Sequence, residues 1–110
     1  MSVSPKFIIE NNHLKGDCLI ISNCTYHKQL AKNVEKIKGG GWFSYDIKKI
    51  TFTLYGESHD FGMAKIEDIK ECISNGNVYT NKSLRNNISE KYKFKYKNAV
   101  GEIIDLNWFE

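Results

Sequence analysis

Gly56-Glu57-Ser58-His59-Asp60-Phe61-Gly62 places a hydroxyl, an imidazole and a carboxylate in one short loop bounded by glycines. Glycine at each end gives the backbone the positive-φ freedom needed to turn its N–H groups toward an anion. A helix beginning just after the loop would add the positive end of its dipole. The chemistry this favours is capture of a phosphate or a carboxylate. The adjacent His59 and Asp60 suggest an acid/base pair, although neighbouring loop residues tend to point apart. Ser58 has an equally simple use, since serine commonly caps such a loop or the helix after it.

A second cluster is Lys91-Tyr92-Lys93-Phe94-Lys95-Tyr96-Lys97. Strict alternation makes it a strand with aromatics on one face and lysines on the other. That separation argues against one ligand using both sets, so a nucleic-acid or protein-binding module using this strand is the weakest of the functional readings. The expected arrangement is a buried aromatic row with a solvated lysine face that discourages edge pairing.

Several elements must position these residues. Phe7-Ile8-Ile9 and Cys18-Leu19-Ile20-Ile21 read as paired strands around a polar turn that includes His13 and Lys15. Tyr26, Leu30, Val34 and Ile37 recur at helical spacing and predict an amphipathic helix from about Thr25 to Lys38, with Gly39 as its C-terminal cap. Trp42 to Tyr45 and Lys49 to Tyr55 form a further strand pair turning at Asp46-Ile47-Lys48, with Ile50, Phe52 and Leu54 on one face. Ile66, Ile69 and Ile73 mark a second helix, about Lys65 to Ser74, closed by Asn75-Gly76. Residues 77–87 read as a polar surface excursion with at most one brief strand. The Lys91–Lys97 strand and a last strand within Glu102–Phe109 complete the order. The expectation is an α/β fold, a mixed sheet of about six strands with two helices packed on it.

With 110 residues, 41% hydrophobic and 26% charged, the chain fits one domain, 1–110, with an ordinary core. A net charge of +3 favours anionic ligands only slightly. No stretch approaches the ~18 apolar residues of a membrane span, and Met1–Lys6 lacks a leader's apolar run, so a cytoplasmic protein without a membrane partner is expected. Cys18, Cys24 and Cys72 are odd in number and lack metal-ligand spacing, which points to buried thiols. The abundance of Lys, Asn and Ile hints at an AT-rich coding source such as a phage.

Between Tyr26 and Tyr96 the chain resembles the Janus family of phosphohistidine phosphatases. The shared landmarks are Tyr26-His27, Val34, Gly39-Gly40-Gly41, Tyr55-Gly56-x-Ser58-x-x-Phe61-Gly62 and the strand from Tyr92 to Asn98. Residues 77–90 look like an insertion, and Val100 to Glu110 extends past the family's usual end. The resemblance implies a six-stranded sheet with two helices, and a phosphatase using neither metal nor other cofactor. It places His27 at the catalytic histidine and the 58–60 segment, with Gly56, at the phosphate-binding loop. Lys15 is the nearest candidate for a lysine that the family supplies from its first strands. An imidazole of pKa ~6.5 is suited to take a proton from water or to attack phosphorus itself near neutral pH. The expected partner is a phosphorylated protein or a small phosphorylated ligand. Trp42 replaces the family's arginine and Asp60 its small loop residue. Those two substitutions motivate an alternative: a non-catalytic binder of a nucleotide signal, with Trp42 stacking on a base and Asp60 accepting hydrogen bonds, as in a phage sequestering protein.

Overall fold

A computed structural model describes residues 3–80 and 92–106. Seven strands make one mixed sheet: β1 (Ser4–Asn12), β2 (Gly16–Cys24), β3 (Ile37–Asp46), β4 (Thr51–Tyr55), β5 (Val78–Tyr79), β6 (Lys93–Lys97) and β7 (Ile103–Asp105). The spatial order is β5-β2-β1-β3-β4-β6-β7. The α/β class agrees with expectation, but among the described residues there is one α-helix, α1 (Ile66–Ser74), and the strands number seven. The first four strands are antiparallel neighbours. After α1 the chain adds β5 parallel to β2 at one edge and β6 parallel to β4 on the other side. Among the described residues no helix is long and apolar enough to cross a membrane.

Alternation along β1 divides its side chains between two cores. Phe7 and Ile9 join Leu19, Ile21, Leu54 and Phe94 beneath Ile69, Cys72 and Ile73 of α1. Ile8 faces the other way, toward Ile20, Leu30 and Ala31. Lys6 and Glu10 share that second face by strand periodicity. The three cysteines are buried and form no disulfide with one another. Phe94 and Tyr96 turn inward while Lys93 and Lys97 remain exposed, as alternation requires. Ile50 departs from the expected β4 pattern: it sits in the turn at φ 48° and is 45% exposed, so only Phe52 and Leu54 of that trio pack inward. Val78–Tyr79 supplies the brief strand expected in the polar stretch, whereas residues 81–91 and 107–110 lie outside the described residues.

The expected helix from Thr25 to Lys38 is not formed. Its place is taken by two 3₁₀ turns, His27–Leu30 and Val34–Lys36, separated by extended backbone at Ala31 and Asn33. Two tertiary demands override the helical spacing. The buried carboxylate of Glu10 accepts the Lys32 and Asn33 amides at 3.1 and 2.7 Å, using N–H groups a helix would need. Ile37 is claimed by β3, opposite Glu10. Tyr26 and Val34 are each 45% exposed, so only part of the apolar series is core. Gly39 lies within β3 and is not a helix cap.

Candidate functional site

The site is built around Gly40. A Cβ added there would stand 2.5 Å from the Phe7 carbonyl oxygen and 3.3 Å from Cδ2 of His27, so the missing side chain makes room for the imidazole. The same residue seats the glycine-bounded loop. Its carbonyl accepts from the Ser58 amide at 2.9 Å, and its amide donates to the Gly62 carbonyl at 3.0 Å. His27 and the 56–62 loop thus meet on one glycine of β3, although they are far apart in sequence.

His27 begins the first 3₁₀ turn and is 8% exposed. Gln29 fixes the entry to this turn, its side-chain oxygen accepting from the Thr25 and Tyr26 amides at 2.9 Å each. Nε2–H of His27 donates to the Gly41 carbonyl at 2.7 Å. A carbonyl can only accept, so the neutral ring carries its proton on Nε2 and its lone pair on Nδ1. Nδ1 has no partner among the described residues, yet none of their buried side-chain nitrogens or oxygens is unsatisfied; Nδ1 therefore opens to solvent. Burial pushes the imidazole pKa below its ordinary value; the Gly41 bond and the Asp60 carboxylate oppose that shift, while the Lys6 ammonium adds to it.

Trp42 and Lys6 complete the cluster. The indole meets the His27 ring edge-on at 5.2 Å between centroids, and the Lys6 ammonium lies 4.6 Å over it. Lys6 is almost wholly buried and donates to the Ser4 hydroxyl and, at 2.8 Å, to the Cys24 carbonyl. Gly56 is required at its position, because φ is +71° and a Cβ would come 2.7 Å from Cδ1 of Trp42.

The loop itself is a tight hairpin. Ser58 and Gly62 exchange backbone bonds of 2.9 and 3.3 Å, and the Ser58 hydroxyl, 2% exposed, accepts from the Phe61 amide at 3.2 Å. Ser58 is thus an internal loop cap. His59 and Asp60 form the exposed tip and make no hydrogen bond or ion pair with each other. Their amides have no backbone partner among the described residues, which leaves two N–H groups for an anion.

Lys15 is elsewhere. It occupies the turn joining β1 to β2, with its ammonium against the Tyr79 hydroxyl and ring. Six residues of β1 at ~3.3 Å each put that turn about 20 Å from Lys6. The lysine of the first strands that reaches His27 is Lys6, which could be found only by knowing that β1 pairs with β3 and sets Lys6 opposite Trp42. Among the described residues no group of three His, Cys, Asp or Glu side chains is disposed to hold a metal. Comparison with protein-family models, with curated proteins and with solved structures returns no match.

Proposed function

We propose that this protein is a phosphatase acting on phosphohistidine or another phosphoramidate, metal-independent like the family its motifs resemble. The observation that carries this reading is the fixed tautomer of His27. With Nε2–H held by the Gly41 carbonyl, the Nδ1 lone pair is left to solvent, on a ring that packs against Gly40, the same glycine that seats the 56–62 loop. Whether Nδ1 takes a proton from water or bonds to phosphorus directly, positive charge develops on the ring and the Gly41 carbonyl stabilises it through Nε2–H. The His59 and Asp60 amides are the donors suited to the phosphoryl oxygens.

Release of inorganic phosphate from a phosphohistidine peptide in the presence of a chelator tests the activity. A His27→Ala variant is expected to lose about 100-fold or more in kcat/KM. Undiminished release by that variant refutes the mechanism. Acid-quenched protein bearing phosphate on His27 would select the nucleophilic route over the general-base route.

The alternative, a non-catalytic binder of a nucleotide or other small phosphorylated molecule, is favoured by the exposed Asp60 carboxylate at the loop tip, an acceptor suited to ribose hydroxyls or a base edge. Against it, the Trp42 ring intended for base stacking already carries the Lys6 ammonium. Nucleotide-dependent thermal stabilisation without phosphate release would select this reading.

A further inference from the structure

Beside the loop lies an open cleft of about 220 Å³, lined by Tyr55, Glu57, Met63, Tyr96, Lys97 and Ala99 together with Gly56 and Asn98. It sits at the carboxyl ends of β4 and β6, a parallel pair in which Tyr55 is in register with Lys97. Chain leaving the ends of adjacent parallel strands in diverging directions opens a crevice there, and such crevices are where ligands settle in open α/β sheets. One lip is the Gly56–Gly62 loop and the other the turn at 98–101, which Asn98 rigidifies by accepting the Val100 and Glu102 amides at 3.1 and 2.9 Å.

The cleft and the His27 cluster are mechanically joined. Gly56 lines the cleft and also packs against Trp42, which touches His27. Trp42, Tyr55 and Lys97 stand opposite one another on neighbouring strands, so two inter-strand spacings, about 10 Å, separate the first from the last. Gly56 and Glu57 belong both to the loop and to the cleft wall, so a group bound on the loop would direct its next substituent toward the cleft.

The lining identifies the occupant. Met63, 60% exposed, the exposed face of Tyr55 and the Ala99 methyl make apolar walls, and a thioether adapts to varied shapes. Lys97 and Glu57 stand at the rim without an ion pair between them, leaving a donor and an acceptor for the amide groups of an extended peptide. We infer that this cleft is a subsite for an apolar side chain next to the phosphorylated residue. The inference rests on the phosphatase reading of the adjoining loop.

Two phosphohistidine peptides, one with leucine and one with glycine beside the phosphorylated residue, and free phosphoramidate as a third substrate, test it with the wild-type chain and an Ala99→Trp variant. Ala99 is exposed and belongs to no strand, so the substitution fills the cleft without entering the core. The expected result is an approximately tenfold preference in kcat/KM for the leucine peptide, abolished by Ala99→Trp, with phosphoramidate turnover unchanged. Equal rates for the two peptides in the wild type overturn the subsite while leaving the phosphatase reading intact. Absence of turnover on all three substrates overturns the phosphatase reading. In that case fluorescence anisotropy of the same peptides decides the subsite, and equal affinities overturn it.

Discussion

Nε2 of His27 lies 2.7 Å from the carbonyl oxygen of Gly41, which ties the one buried imidazole among the described residues to the backbone of a central strand. Because burial lowers the pKa of this ring, its neutral form should persist below the ordinary titration range near 6.5. An NMR titration is expected to place the His27 midpoint below the ordinary imidazole value. Phosphatase activity dependent on neutral His27 should fall only on the acid side of that lowered midpoint. The sign for stability follows from proton counting. Between the folded and unfolded pKa values the unfolded chain binds more protons, so His27's contribution is complete above about pH 6.5 and declines as pH falls below it. Chemical denaturation across this window should show a smaller decline for His27→Gln than for wild type.

Glu10 reaches His27 only through the backbone of the segment that carries it. Removing its carboxylate strands the Lys32 and Asn33 amides, which now bond to it. Glu10→Ala is expected to cost about 2 kcal/mol, the scale for leaving buried donors unmet. Faster amide exchange across 27–36, with β1 to β4 still protected, distinguishes this local loosening from global unfolding.

Gly40→Ala brings a methyl to within 2.5 Å of a backbone carbonyl oxygen that cannot rotate aside. A loss of about 3 kcal/mol is expected from this overpacking. The chemical shift of the His27 ring should move with it, because the new methyl also crowds Cδ2. Wild-type stability in the variant would show that β1 and β3 separate more easily than the geometry implies.

Asp60→Asn removes a carboxylate from the loop tip. Affinity for inorganic phosphate should rise about fivefold, on the order of 1 kcal/mol, by relief of repulsion. The same change withdraws a charge that holds the His27 pKa up, so the histidine midpoint should fall slightly. Opposite movement of either quantity would place the carboxylate away from the anion position.

The hairpins were legible in the sequence because strand alternation and turn residues are local signals. Phe7 to Ile9, Cys18 to Ile21 and the Trp42–Tyr55 pair all lie on paired strands. The loop's outline was equally local, since Gly56 and Gly62 adopt the positive φ their chemistry permits. The segment from Thr25 to Lys38 was misread because its fate depends on Glu10, a residue distant in sequence whose partners no periodicity reveals. Lys6 was not legible as a site residue for a related reason: strand order across β1 and β3 decides that Lys6, and not Lys15, meets Trp42, and that order is a property of the assembled sheet.

The sheet order also has a temporal meaning. β1 to β4 join mostly neighbours in the chain, whereas β6 reaches β4 only after the polypeptide has passed α1 and touched the far edge at β5. Contacts of that span close loops at greater entropic cost and form late. Lys6, His27, Trp42 and the 56–62 loop all lie within the early portion, while Lys97 and Ala99 arrive with the late one. Pulse-labelled amide exchange during refolding should therefore protect β1 and β3 before β6, so that the seat of the 56–62 loop takes shape before the cleft beside it.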